Sequence, residues 1–552
     1  MLDRVSAAAH DAADLDAPTP RDIRRVGTPV AAGVSLDERA IDSAFPLRVG
    51  AIDIGSNAIR FLAAEFQQPS QYVALEQVRT PVRLGHDVFL TGRLAPSAVD
   101  AAVGALASYR DRMDTLEIEH HRAVATSAVR DSGNRAEFLE RAREDAGITI
   151  EVITGAEEAR LVHQAVRSRM NFGRKRWVLV DLGGGSVEVS LVEEDTILWS
   201  VSHGMGSVRL LEELTVAGDE PGRFRRRLEE YTATLRIPKT KRSRLAGFIA
   251  TGGNIEALAK LARAEPDEQG VAHLPLARLR ELIETLSRLS YRQRVDDLGL
   301  RDDRADVILP AAMVYERLCS LAGLPTIQVP NVGVKDGVVL DLVDDVIHHG
   351  PHGERQDRVA YAGSLALGRR YRIDLAHGRH VAALAASIFD QLTDVHELDR
   401  ADRRVLLTAA LLHDIGVFIA YKRHHKHSLY IIAQSELPGF TPNEILMVAN
   451  VARYHRKGEP AQHHEPFMQL TAAERQRVTR LAALLRLADA LDREHRQAVT
   501  AVALTRENGE IRLALRSSGD LLLERWAVQR KVGLFEKTFG LKIRFPGDGK
   551  AS

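Results

Sequence analysis

From Leu47 to about Gly350, short apolar runs broken by glycines and polar turns alternate with longer stretches in which apolar residues recur every three to four positions, as over 96–116 and 136–146. Short apolar or alternating runs predict strands, and the 3.6-residue period predicts helices. This part of the chain reads as α/β. Past residue 350 the strand-like runs stop, and helical periodicity takes over through 381–392, 404–412, 443–455 and 475–493. From Val499 alternating segments return at 501–504, 511–515 and 542–545 around a short helix near 521–531, which predicts a small α+β unit. Residues 1–44 hold no aromatic residue and are dominated by Ala, Asp, Arg and Pro. Such a stretch buries too little apolar area to offset its ordering entropy, so a mobile tail is expected.

An internal repeat organises the α/β part. The apolar run ending in Ile52-Asp53-Ile54-Gly55-Ser56-Asn57 leads into a second alternating run, and Val180-Asp181-Leu182-Gly183-Gly184-Gly185-Ser186 does the same, with Glu188 in its second run. The two aspartates stand 128 positions apart, enough for one α/β lobe, so two similar lobes facing each other are predicted. The expected domains are a disordered tail over 1–46, one lobe over 47–172, a second over 173–347, an all-α domain over 355–498 and the α+β unit over 499–552.

In each copy the glycines allow a tight turn whose backbone N–H groups converge on one space, a concavity suited to phosphate oxygens. The Asp at the strand end is placed to hold a divalent cation or its water. Because a strand follows the turn, neither a dinucleotide fingerprint nor a P-loop is indicated. A third turn of this kind is Thr251-Gly252-Gly253-Asn254. Between the copies, Ile153-Thr154-Gly155-Ala156-Glu157-Glu158 opens a helix with two carboxylates. These are either partners of the helix dipole or, at a cleft, a base that deprotonates water attacking phosphorus. Thr126-Ser127-Ala128-Val129-Arg130 presents hydroxyls and one Arg, the side chain suited to bidentate phosphate contact.

Charge and cysteine content narrow the picture. Lys plus Arg and Asp plus Glu both number 75, so any affinity for polyanions has to come from local clustering, and a histone-like or coat protein is disfavoured. One such cluster holds nine Lys or Arg over 223–244 (Arg223, Arg225, Arg226, Arg227, Arg236, Lys239, Lys241, Arg242 and Arg244). It reads as a solvated face or as an electrostatic track for a long polyanion. With Cys319 alone, neither a disulfide framework nor a cysteine zinc site is possible. A reducing compartment fits. No apolar run approaches the roughly 18 residues of a membrane helix, and Met1 to Pro46 lacks a signal-peptide core, so a cytoplasmic protein with no membrane partner is expected.

Taken in order, Ile52–Asn57, Thr126–Arg130, Ile153–Arg160, Val180–Ser186 with Glu188, Thr251–Gly253 and Lys335-Asp336-Gly337 resemble the exopolyphosphatase/guanosine pentaphosphate phosphatase (Ppx/GppA) family. That family lies within the actin, hexokinase and sugar-kinase superfamily. The resemblance continues through Lys426–Tyr430, Leu437–Phe440 and Ala452–Lys457. It implies two RNase H-like (actin-like) lobes followed by an all-α HD-like domain and the small α+β domain. It also implies an Mg²⁺-dependent exopolyphosphatase that releases terminal orthophosphate from inorganic polyphosphate, with pppGpp 5′-phosphohydrolysis as the alternative. Glu158 is then the water-activating base, Asp181 and Glu188 place metal and water, and Gly183, Gly184, Gly185 and Ser186 cradle the terminal phosphate. Ser56, Asn57, Arg130, Gly252 and Gly253 contact phosphate oxygens. Asn254 and Lys335 depart from the family's usual Thr and Arg. A homodimer without specific nucleic-acid binding is implied as well. From other classes, a non-catalytic nucleotide- or polyphosphate-binding regulator and a sugar kinase remain alternatives. All three acids of a hydrolase disfavour the first, and no adenosine pocket or sugar-binding Asp can be located for the second.

Histidines are unevenly spread, 11 of the 21 falling between His377 and His495. His377, the pair His413-Asp414 and Asp489 follow the order of HD-domain phosphohydrolases, each on an apolar helix where an ionisable group needs a partner or a metal. Imidazole and carboxylate ligands suit Mn²⁺, Fe²⁺, Zn²⁺ or Mg²⁺, and His427 and His455 are candidates for a second ion. The competing reading is a degraded HD-like domain serving as substrate channel or dimer surface.

Overall fold

The computed structural model describes residues 45–545 apart from 70, 194–195, 216–220, 238–244, 348–352, 457, 508 and 518. The expected mobile tail and the 238–244 end of the basic cluster lie outside the described residues.

Two sheets carry the α/β part. The first contains β1 (Leu47–Ile54), β2 (Ile59–Gln68), β3 (Gln71–Thr80), β4 (His120–Ala125) and β5 (Ile150–Val152) in the order β3-β2-β1-β4-β5. The second contains β6 (Arg176–Leu182), β7 (Val187–Glu193), β8 (Thr196–His203), β9 (Leu245–Thr251), β10 (Ala272–Pro275) and β11 (Thr326–Val329), and reads β8-β7-β6-β9-β11-β10. Setting aside β10 at its edge, the second sheet repeats the first strand for strand. β1 and β6 each pair antiparallel with the following strand and parallel with the third strand after them, β4 and β9. The parallel pairings need helical crossovers that cover the sheet, which is why Val49–Ile54 and Val178–Leu182 are apolar on both faces and buried. These are the two actin-like lobes, and the repeat seen in sequence is a repeat of topology.

The helices that position the sites are α1 (Gly155–Arg167), α2 (Ser207–Leu214), α3 (Gly253–Leu261), α4 (Val334–Ile347), α5 (Leu375–Gln391), α6 (Arg400–Leu412), α7 (His424–Ala433), α8 (Pro442–Arg453), α9 (Ala472–Ala490) and α10 (Leu522–Lys531). Their starts follow local chemistry. Thr441 with Glu444 and Thr471 with Glu474 form reciprocal capping boxes for α8 and α9, and Asp374 caps α5 by accepting from the N–H groups of Ala376 and His377. β12 (Val499–Glu507), β13 (Glu510–Ser517) and β14 (Lys542–Arg544) form a third sheet. Its inward residues Val502, Ile511, Leu513 and Ile543 share one apolar core with Val381, Leu411 and Leu484 of the helices. The α+β unit is therefore built into the helical domain's core. Among the described residues, no helix is long and apolar enough to cross a membrane.

Candidate active site and a buried histidine cluster

A cavity of about 350 Å³ opens between the turn after β1 and the turn after β6. The turns touch. A Cβ on Gly184 would sit 2.8 Å from Ser56 Cβ and 3.5 Å from the Asn57 backbone nitrogen, so only glycine allows this approach. The first turn of α2 supports the loop from behind, with the Val208 and Arg209 N–H groups donating to the Gly184 carbonyl at 2.8 and 3.0 Å. The third turn joins them through Gly252, whose φ of 102° is available to glycine alone, so that α3 starts at the cavity wall. Ser56, Asn57, Gly183, Gly184, Gly252 and Gly253 all line the cavity. Gly185 and Ser186, expected in the same cradle, do not; Gly185 faces Phe89 and Ser127 instead.

The three predicted acids meet. Asp181 and Glu188 stand directly opposite on the β6–β7 hairpin, and the first turn of α1 brings Glu158 to them, so that one oxygen of each lies within 4.8 Å of the others. The two neighbouring glutamates of α1 separate here. Glu157 is held by Arg160 at 2.7 and 2.9 Å, in a network with Arg122. Glu158 Oε2 has no hydrogen-bond partner, its nearest cation being Arg130 Nη1 at 3.8 Å. Burial first, then the charge of Glu188, holds the Glu158 carboxyl well above the usual range. Burial and Asp181 push Glu188 up to about 8. Burial pushes Asp181 up to about 6, against a 2.6 Å hydrogen bond from Thr251. Three buried carboxylates so arranged repel one another, and a divalent cation among them relieves that repulsion. The donor set fits Mg²⁺, which takes oxygen ligands.

Two expected phosphate contacts are placed differently. Asn57 turns its amide N–H groups to the Asp303 carbonyl at 2.9 Å and to Asp303 Oδ2 at 3.3 Å. Arg130 is outside the cavity lining because its Nη1 donates to the Ile153 carbonyl at 2.9 Å, which sets it behind Glu158. Other cations do line the cavity: Arg60, Arg79, Arg301, Arg304 and Lys335. Arg60 was legible in the repeat, since it stands opposite Asp53 as Glu188 stands opposite Asp181. Arg79, Arg301 and Arg304 come from segments with no motif. Arg304 lies against Gly253 and donates to Asn254 Oδ1 at 3.1 Å, and burial together with the neighbouring arginines lowers its guanidinium to about 10. In the basic cluster, Arg225 is paired with Glu229 and Glu284 at 3.0 and 2.8 Å.

The helical domain brings His377, His413, Asp414 and Asp489 together, as the sequence order predicts. His377, His413 and Asp489 offer ligand atoms within 4.8 Å of one another, and Asp414, His424 and His455 form an adjoining trio. His455 was expected there, but His424 takes the place assigned to His427. The first residue of α7 faces Asp414, whereas His427 packs one turn on against Gly416. Burial works to lower the His413 imidazole, but Asp414 and Asp489 win and raise it to about 9. Lys531, at the end of α10, ion-pairs with Asp489.

Residues 67–346 match the model of the Ppx/GppA phosphatase family, and residues 361–531 match Ppx/GppA phosphatase, domain III. The chain belongs to the Ppx/GppA phosphatase family. It is a hydrolase of phosphoric anhydrides. This Ppx/GppA chain is 27% identical over 474 residues, 84% of its own length and 91% of the relative's, to the guanosine-5′-triphosphate,3′-diphosphate pyrophosphatase of Vibrio vulnificus (strain YJ016). To the protein of the same name from Vibrio parahaemolyticus serotype O3:K6 it is 26% identical over 79% of its length and 86% of the relative's. Among solved structures, the Aquifex aeolicus PPX-GPPA enzyme shares 27% identity with a TM-score of 0.45, covering 53% of this chain and 99% of that one. An exopolyphosphatase from Cytophaga hutchinsonii shares 26% with a TM-score of 0.47, covering 54% and 98%.

Proposed function

We propose that the cleft hydrolyses the terminal phosphoanhydride of guanosine-5′-triphosphate,3′-diphosphate (pppGpp), releasing orthophosphate by attack of water on the 5′ γ-phosphorus. The observation that carries the chemistry is Glu158. Its free, buried Oε2 is aimed into a space shared with Asp181 and Glu188, beside the contact between Gly184 and Ser56. The names of relatives aligned over most of both chains favour this substrate over linear polyphosphate.

Glu158 accepts the proton of the attacking water and orients it. Asp181 and Glu188 are the residues that would hold Mg²⁺, which supplies neutralisation of the phosphoryl oxygens. The Gly183–Gly184 and Gly252–Gly253 turns, with the start of α3, offer backbone N–H groups to the terminal phosphate. Arg304, Arg301 and Lys335 neutralise the rest of the polyanion. Phosphoryl transfer asks for little beyond such positioning and charge. A cytoplasmic setting and a homodimer belong to the same reading.

Exopolyphosphatase activity is the second reading, favoured by the five cationic side chains that line one cavity without an aromatic platform for a base other than Phe61. Phosphate release measured in parallel from pppGpp and from long-chain polyphosphate decides between them. Glu158→Gln is expected to abolish release of either while substrate binding persists. Turnover that survives Glu158→Gln removes the assignment of this cleft.

A further inference from the structure

Arg79, Arg301 and Asn57 line the cavity, and one buried carboxylate outside the lining reaches all three. Asp303 Oδ2 ion-pairs with Arg79 and accepts from Asn57 Nδ2 at 3.3 Å, and its Oδ1 lies 3.6 Å from Arg301 Nε. The Asp303 carbonyl accepts from the same amide at 2.9 Å. Asn57 and Arg79 belong to the first lobe, Arg301 and Asp303 to the second, so this carboxylate bridges the two.

A staple between lobes does not need donors taken from the cavity wall. Arg83 and Asp306 form such a staple a few residues away, and neither lines the cavity. What surrounds Asp303 is different in kind: two guanidinium groups and an amide N–H converging on one anion, the set that recognises phosphate oxygens. The backbone nitrogen of Asn57 lies at the Gly184 turn while its side chain is on Asp303. The donors around Asp303 therefore adjoin the turns that cradle the terminal phosphate.

We propose that Asp303 is a specificity-determining residue, an internal anion that holds the donors of the second phosphate subsite until a phosphate chain displaces it. The inference rests on the phosphoanhydride reading of the cleft. Orthophosphate, confined to the glycine turns, gains nothing from Arg79, Arg301 and Asn57. A terminal triphosphate reaches past the turns and replaces one carboxylate with oxygens that carry more charge. Asp303 thus weakens binding of every chain but weakens that of short anions to the point of exclusion, and Asn57 becomes a phosphate contact only in the complex.

The test is calorimetric binding of tripolyphosphate and of orthophosphate to the full-length chain with Mg²⁺, in a Glu158→Gln background. Removing a competing like charge in Asp303→Asn is expected to tighten tripolyphosphate about tenfold and to leave orthophosphate within about twofold. The same variant should melt lower without ligand, because the arginines lose their counter-charge; a purely structural acid would lower both stability and affinity. Arg79→Met, which strands Asp303 and removes a cation, is expected to weaken tripolyphosphate at least about tenfold. Adding Asp303→Asn to it should recover most of that loss, which gives a second readout on a different parent. Asp303→Asn that binds tripolyphosphate no better than wild type, tightening that is equal for orthophosphate, or no recovery in the double variant overturns the proposal. These affinities are read whether or not the chain is cleaved, so a wrong assignment of the cleft, seen as phosphate release from Glu158→Gln, is told apart from a wrong role for Asp303.

Discussion

Glu436, in the turn after α7 of the helical domain, sets its carboxylate against Gly155, in the first turn of the helix that carries Glu158. A Cβ on Gly155 would lie 2.8 Å from Glu436 Oε2, so the sequence leaves this helix start open to a carboxylate from another domain. A negative group there complements the helix dipole. Burial raises the Glu436 carboxyl, while Arg130 works against the rise.

Glu436 is therefore expected to position Glu158 without touching substrate. Glu436→Ala should lower kcat about tenfold, roughly 1.4 kcal/mol, and leave KM within about twofold. Glu436→Gln, which keeps an acceptor oxygen, should restore most of the rate. A change carried mainly by KM, or no rescue by Gln, counts against this role.

The carboxylate trio makes a stability prediction with a definite sign. Glu188 titrates near 8 in the folded chain and near its ordinary value of 4.5 when unfolded. Below pH 4.5 both states hold the proton and nothing is lost. Between about pH 4.5 and 8 the unfolded chain releases a proton that the folded chain keeps, so this group's contribution falls as pH rises and the full penalty persists above 8. Metal-free protein with Glu188→Gln should be more stable than wild type at pH 8, by about 1–3 kcal/mol, and little different at pH 4.5. Thermal melts in chelator at the two pH values measure it. Mg²⁺ is expected to raise the wild-type melting temperature at pH 8 more than that of the variant.

The contact between the two glycine turns yields a steric prediction. Gly184→Ala pushes a methyl against Ser56 Cβ at 2.8 Å and Val208 Cγ2 at 3.1 Å, both on packed backbone. The turns must part by a few tenths of an ångström, which misplaces the phosphate cradle. Phosphate release is expected to fall at least about 100-fold, since displacements of that order are costly in positioned reactions, with folding retained by circular dichroism. Ser56→Gly in the same chain removes the opposing Cβ and should recover part of the loss.

What the sequence made legible is what lies close along the chain. Asp181 and Glu188 face each other across one hairpin, and the topology repeat follows from two strand-turn-strand copies of the same pattern. Within α1, residue types alone left Glu157 and Glu158 equivalent; Arg160 and Arg122 decide which one is spent on structure. In α7 the periodicity does not tell His424 from His427, because they stand one turn apart on a histidine-rich helix, and only the packing separates them, with His424 on Asp414 and His427 against Gly416. Asn57 was read as a phosphate ligand, but Asp303, far along the chain, claims its amide. Arg304 and Glu436 reach the cleft only through packing between distant segments, and neither carries a local pattern.

Arg304 gives the sharpest test of the cation wall. Its guanidinium is buried against Gly253 at the start of α3, with Asn254 as hydrogen-bond partner, and burial with its neighbouring arginines already lowers it to about 10. A buried cation crowded by other cations is unfavourable for the free protein and favourable for binding a polyanion. Arg304→Met should keep or raise the melting temperature without ligand, whereas KM rises about 10–100-fold, matching roughly 1.5–3 kcal/mol for a charged hydrogen bond. The dependence of KM on salt should weaken as well, because one fewer phosphate charge is neutralised. A variant that melts lower and binds as well as wild type would mean that Arg304 serves the fold alone, and the polyanion must then be held by Arg301 and Lys335.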